Sequence, residues 1–196
     1  FFGDPEISGG QLSPDGKFMS FIKPFNGTRN IWVKKTDAGF ETAKPLTADE
    51  KRPISNYFWS RNGKFILYVQ DKDGNENYQV YAVNPAEKPE EGKEVPNSRN
   101  LTNKEKARAY IYSVPKTLPD VMYIGLNDRD ASWHDLYELK ISTGEQKLLR
   151  KNTDRITGWV FDRRDKLRLA ERTNADGSTD ILRVDPKGFV KIYSCG

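Results

Sequence analysis

A chain of 196 residues with 36% hydrophobic, 12% aromatic and 31% charged residues carries enough bulky apolar surface for one or two packed domains, which excludes a disordered or fibrous protein. Its 32 basic and 28 acidic side chains leave a net +4 with both signs interspersed, so the basic blocks of a nucleic-acid binder are missing and no nucleic-acid partner is expected. The longest apolar runs, such as Phe65-Ile66-Leu67-Tyr68-Val69, fall far short of the ~20 residues of a spanning helix, and Phe1-Phe2-Gly3-Asp4 does not read as a signal peptide, so no membrane span is expected.

Taken in chain order, the elements repeat. The stretch from Ile7 reads ISGGQLSPDGKFMSFI, that from Ile54 reads ISNYFWSRNGKFILYV, and that from Ile156 reads ITGWVFDRRDKLRLAE. A degenerate copy, YIYSVPKTLPDVMYIG, runs from Tyr110 to Gly125. Ile7 to Phe18, Ile54 to Phe65 and Ile156 to Leu167 share the same eleven-residue step. Each copy leads to a short alternating segment: Asn30 to Val33, Gln79 to Val83, Asp135 to Leu139 and Asp180 to Val184. A fourth segment follows around Leu46, Leu101, Leu148 and Val190. Runs of β-branched and aromatic residues bounded by Gly, Pro, Asn and Asp are strand chemistry. Asp15-Gly16, Asn62-Gly63, Asp73-Gly74 and Asp176-Gly177 supply the positive φ that tight hairpins need. Only Asn103 to Ala109 has room for a helical turn.

Four strands recurring about every 47 residues is the period of a β-propeller blade. The expected fold is therefore all-β, a β-propeller of four consecutive blades of four antiparallel strands each. The blades fall at about 7–50, 54–105, 109–151 and 156–194. A blade buries its faces only against its neighbours. The apolar side chains of Phe18, Phe21 and Ile31 in the first repeat, and of Leu167, Leu169 and Ile181 in the fourth, are therefore expected to meet each other or to be covered by another chain.

Candidate chemistry is sparse. No serine stands in a G-x-S-x-G elbow, and His134 is the only histidine, so no residue is assigned a catalytic role. His134 lies in the segment Asn127 to Asp135, read as a loop before the third strand, where Asp128, Arg129, Asp130, His134 and Asp135 are expected to form a structural hairpin network with each other and with backbone groups. Cys195 is alone and closes no internal disulfide, which also excludes a cysteine metal cluster. The run Asp71 to Asn77 alternates oxygen ligands but fails the EF-hand pattern, with Gly at its fourth position and Ala82 at its twelfth. A similar run, Asn174 to Asp180, occupies the same place in the fourth repeat, which reads as a shared turn. No metal and no cofactor is expected. Tyr57, Trp59, Trp133 and Trp159 fall at strand period and read as packing residues. The more basic last fifty residues read as a solvated surface.

The residues SPDGKFMSFI (13–22), NIWV (30–33) and KPLT (44–47) resemble the propeller repeat of TolB and of the prolyl oligopeptidase family of serine peptidases. The segments FFGDPEISGGQLSPDGKFMSF, DKDGNENYQVYAV (71–83) and GLNDRDASWHDLYELKISTGE (125–145) are similar to the acylaminoacyl-peptidase and dipeptidyl-peptidase-like branch of that family, and the resemblance spans essentially the whole chain. It implies a propeller that stands over an α/β-hydrolase domain bearing a Ser-Asp-His triad and restricts entry to peptides. That catalytic half is absent from this sequence, so the chain is expected to be the N-terminal part of a larger one, with the α/β-hydrolase domain and the peptide substrates of the parent enzyme as its partners. The Glu pair by which some dipeptidyl peptidases hold a substrate amino terminus has no matching motif, and Glu90-Glu91 sits in a Pro- and Lys-rich insertion that reads as a solvated loop. The alternative is a TolB-like scaffold that binds other proteins on the propeller face. By resemblance, a periplasmic or secreted location is favoured over the cytoplasm.

Overall fold

A computed structural model describes residues 5–196. Among them sixteen strands form four antiparallel sheets of four, each made of consecutive strands in chain order. The first sheet holds β1 (Ser8–Leu12), β2 (Phe18–Phe25), β3 (Thr28–Lys35) and β4 (Lys44–Pro45). The second holds β5 (Tyr57–Trp59), β6 (Ile66–Gln70), β7 (Gln79–Val83) and β8 (Ser98–Asn100). The third holds β9 (Ala109–Ser113), β10 (Val121–Asp130), β11 (Trp133–Lys140) and β12 (Gln146–Arg150), and the fourth β13 (Gly158–Phe161), β14 (Leu167–Thr173), β15 (Thr179–Asp185) and β16 (Gly188–Cys195). This is the expected all-β blade architecture. The one helical segment among the described residues is a 3-10 turn at Phe40–Thr42. The stretch from Asn103 to Ala109 makes only a turn, in which Ala107 N–H donates to the Lys104 carbonyl.

The chain divides into two compact units, the first ending at Asn103 and the second comprising Lys104–Gly196. In the first unit Ile22 and Ile31, paired across β2 and β3, pack with Val33 and Leu46 against Tyr57, Trp59 and Ile66 of the second sheet. Trp59 Nε1 donates to the buried Ser20 hydroxyl at 2.8 Å, and Tyr57 OH donates to the Gly9 carbonyl at 2.6 Å. In the second unit Tyr123 and Leu136 of the third sheet pack with Trp159, Ala170 and Leu182 of the fourth, and Tyr123 stacks on Phe161 with ring centroids 4.3 Å apart.

Side-chain alternation corrects the list of outward-facing residues. Phe18 and Ile31 face the second sheet and Leu167 joins the third-sheet contact, so these three do not belong to outer faces. Phe21 points the other way from Ile22 and is buried beside Phe40, 5.5 Å away. Leu169 and Ile181, on the side opposite Ala170 and Leu182, are half-buried.

The turns joining first and second strands in the first two sheets share one chemistry. Ser13 Oγ donates to Asp15 and accepts the Phe18 N–H, while Ser60 Oγ donates to Asn62 and accepts the Phe65 N–H. Both turns need a left-handed residue, supplied by Gly16 at φ 71° and Gly63 at φ 69°. In the fourth sheet Asp162 takes the serine place and Asp165 takes the left-handed position at φ 59°.

A second device recurs on the third strand of every sheet. Asn30, Gln79, Asp135 and Asp180 each precede an apolar residue at the same strand position, and all four are buried. Each is bound by a residue on or just beyond the fourth strand. Thr47 Oγ1 donates to Asn30 at 2.9 Å, Thr102 Oγ1 to Gln79 at 2.8 Å, Asn152 N–H to Asp135 at 2.7 Å and Ser194 Oγ to Asp180 at 2.8 Å. Buried polar groups must be paired, and here the pairing clamps the end of each sheet to its third strand.

Candidate functional site: the third hairpin and its aromatic hollow

The segment read as a loop is mostly strand. Leu126 pairs with Asp135, a bulge follows, and Asp130 pairs with Trp133, so that only Ala131 and Ser132 lie between β10 and β11. Asp130 caps this turn by accepting the Ser132 N–H at 2.9 Å. Arg129 places Nε and Nη2 on the two Asp135 oxygens, each at 2.7 Å, and Nη2 also reaches the Asn152 carbonyl at 3.1 Å. Asn152 then binds the His134 carbonyl and both backbone groups of Ile156, which fixes the segment entering the fourth sheet. Burial alone would push the Asp135 carboxyl up, but the Arg129 guanidinium and the Asn152 N–H together hold it below the ordinary carboxylate range.

The five residues expected to form one network divide three ways. Arg129 and Asp135 form the bidentate pair. Asp128 takes Lys104 at 3.1 Å and the Tyr137 hydroxyl at 3.4 Å, and Asp130 serves the turn. The His134 ring stands apart and binds the Arg108 backbone. Its Nε2 is enclosed without a hydrogen-bond partner. That backbone contact favours the protonated ring. Burial first, and the Arg108 charge second, nevertheless lower the imidazole below its ordinary value of 6.5. Asn152, Lys104 and Arg108 were not singled out by sequence, since nothing local to them marks their role.

Beside the imidazole lies a hollow of about 270 Å³ lined by Tyr110, Tyr112, Ser132, Trp133, His134, Ile156 and Thr157. Tyr110 and Tyr112 lie two residues apart on β9 and so share a face, with ring centroids 5.1 Å apart. Gly125 lets them settle: a Cβ there would lie 2.7 Å from Tyr112 Cε2 and 2.9 Å from His134 Cβ. Burial, aided by Tyr110, pushes the Tyr112 hydroxyl up to about 12, so it stays neutral.

Other candidates are accounted for by their contacts. Asp71 accepts from Arg52 and from the Glu76 N–H, and no group of three or more His, Cys, Asp or Glu among the described residues is arranged to hold a metal ion. Cys195 is exposed on β16, its thiol directed to the Gly196 carbonyl. Glu90 is exposed and pairs with Lys93 and Asn97 in its own loop. Tyr57, Trp59 and Trp159 are buried core residues.

The chain matches no protein-family model. It is 35% identical over 187 residues to dipeptidyl aminopeptidase BIII of Pseudoxanthomonas mexicana, covering 95% of this chain and 26% of that protein. It is 30% identical over 186 residues to dipeptidyl peptidase family member 6 of Caenorhabditis elegans, covering 93% of this chain and 24% of that one. The chain thus spans about a quarter of the length of these relatives. Among solved structures it is similar to a prolyl endopeptidase, with a TM-score of 0.63, 14% identity, and coverage of 96% of this chain and 28% of that one. It is also similar to TolB from Acinetobacter baumannii, with a TM-score of 0.55, 14% identity, and coverage of 96% and 43%. These likenesses establish the β-propeller fold, and the sequence relatives are dipeptidyl peptidases.

Proposed function

We propose that this chain is the propeller portion of a serine peptidase, with blades at about 7–50, 54–105, 109–151 and 156–194 forming the N-terminal part of a larger polypeptide. The observation that carries this reading is the 35% identity to a dipeptidyl aminopeptidase, maintained over 95% of the chain. The chain's own role is selection rather than bond cleavage. It has a single histidine and no G-x-S-x-G, so the nucleophile and its base come from an α/β-hydrolase domain elsewhere in the parent. The blades restrict which peptides reach that domain, by the width of the passage and by the polar and aromatic groups along it.

The test compares two proteins. The longer polypeptide is expected to release dipeptides from a chromogenic dipeptidyl substrate and to react with a fluorophosphonate, while the 196-residue chain does neither. Reproducible turnover by the pure chain, with the label on one of its own serines, would falsify the reading. The TolB likeness supports a second reading, a scaffold that binds proteins on a propeller face. It is favoured instead if the parent sequence contains no nucleophile elbow.

A further inference from the structure

Two Asn-Gly pairs stand in hairpin turns of the first unit, and the fold treats them in opposite ways. In such a pair the glycine nitrogen can approach the preceding side-chain amide, because glycine has no Cβ to obstruct it. Asn26 and Gly27 make up the whole turn between β2 and β3, closed by the Phe25 and Thr28 pair. Both are left-handed, at φ 52° and 86°, the form a two-residue hairpin turn favours. Asn62 and Gly63 lie in the turn between β5 and β6.

The second pair is locked. Asn62 Oδ1 accepts from Ser60 Oγ at 2.7 Å and from the Lys64 N–H at 3.0 Å, and the Gly63 N–H donates to the Ser60 carbonyl at 2.9 Å. Both residues are half-buried, and a Cβ at Gly63 would already touch Pro14 Cδ at 3.5 Å. Asn26 and Gly27 are exposed, and a Cβ at Gly27 would meet nothing within 4 Å. The Gly27 N–H makes no hydrogen bond among the described residues. The Asn26 side chain makes a single one, from Nδ2 to Glu94 Oε2 at 3.2 Å, which ties this turn to the loop between β7 and β8.

We propose that Asn26 is a deamidation site, and that its conversion cuts the tie to Glu94. The Gly27 nitrogen bonds to Asn26 Cγ and its proton passes to the departing amide; the Cγ–Nδ2 bond breaks, ammonia leaves, and a cyclic imide remains. Water then opens the ring at either carbonyl, giving aspartate or isoaspartate at position 26. Both products lose the Nδ2 donor and set a carboxylate against Glu94, so attraction becomes repulsion. Isoaspartate also adds a carbon to the main chain of a turn whose ends are fixed by Phe25 and Thr28. At Asn62 the same attack first requires the glycine nitrogen and the side-chain oxygen to be released from their bonds, which slows it.

The 196-residue chain is incubated in mildly alkaline buffer, folded in one sample and in urea in another, and both are followed by peptide mass mapping with an isoaspartate methyltransferase as the probe. In the folded chain Asn26 is expected to convert about tenfold faster than Asn62, and in urea the two rates are expected to converge. Equal rates in the folded chain, or conversion of Asn26 only in urea, would overturn the assignment. Loss of the tie has its own readout in the Asn26→Asp variant. Limited cleavage by trypsin after Lys93, beside Glu94, is expected to be about twofold faster in the folded variant than in the unaltered chain. Unchanged cleavage would overturn the claim that conversion frees this loop.

Discussion

Asp135 is nearly inaccessible, yet both its oxygens are spoken for, by Arg129 and by the Asn152 N–H. Replacing it with alanine strands a guanidinium and a buried amide. Asp135→Ala is expected to cost about 3 kcal/mol in urea unfolding at neutral pH, whereas Asp130→Ala, which loses only a turn cap, costs far less. The same geometry sets the pH dependence. A carboxyl whose folded value is depressed stabilises fully above its unfolded value and stops doing so as the pH falls through the folded one. Asp135 is depressed in this way, and Asp162, held by the Lys166 N–H and by Arg168, is lowered from 3.8 to about 2. Stability should therefore be flat above pH 5 and fall between pH 4 and pH 2, with a shallower fall in Asp135→Ala. The sequence supplied Arg129 and Asp135 as neighbours on one hairpin. It hid Asn152, seventeen residues away from Asp135, because only the fold brings that amide to the carboxylate.

At the scale of a strand, the buried polar residue on β3, β7, β11 and β15 decides which backbone groups are satisfied. Thr47 Oγ1 accepts the Ile31 N–H while donating to Asn30, so one hydroxyl serves two buried groups. Thr47→Val keeps the shape but leaves the Ile31 N–H unmet and Asn30 Oδ1 with only the Asp49 N–H, at an expected cost of about 2 kcal/mol measured by denaturant unfolding. A cost below a few tenths would show that water takes the hydroxyl's place. The repeat, the hairpin turns and the alternating third strands were legible because each rests on local spacing or on a residue tolerant of positive φ. The strand starts were less so. Ile54 and Ile156 read as first-strand residues, but both lie in buried segments before β5 and β13, with their N–H groups bound by the Arg29 carbonyl and by Asn152. An apolar residue plugging the space between two sheets carries the same sequence signature as one that begins a strand.

Across the whole molecule, the composition of each unit's core contrasts with the rim of the fourth sheet. β16 is an edge strand, and Val190, Ile192 and Tyr193 on it are 43%, 53% and 62% exposed. Unpaired edge groups beside apolar side chains promote association between copies. The chain is expected to self-associate as its concentration rises in light scattering, and a Val190→Lys, Tyr193→Lys variant to remain smaller with little change in melting temperature. Equal behaviour of the two proteins would show that this rim is inert.

The order of the strands also has a bearing on how the chain is made. Every sheet takes its four strands in the order in which a ribosome delivers them, so no strand waits for a partner from a distant part of the sequence. The hydroxyls and amide that bind the third-strand polar residues, at Thr47, Thr102, Asn152 and Ser194, come on or after the last strand of their sheets. Each sheet's pairing is thus completed by the final residues of its own stretch, while its apolar face is buried only when the neighbouring sheet arrives.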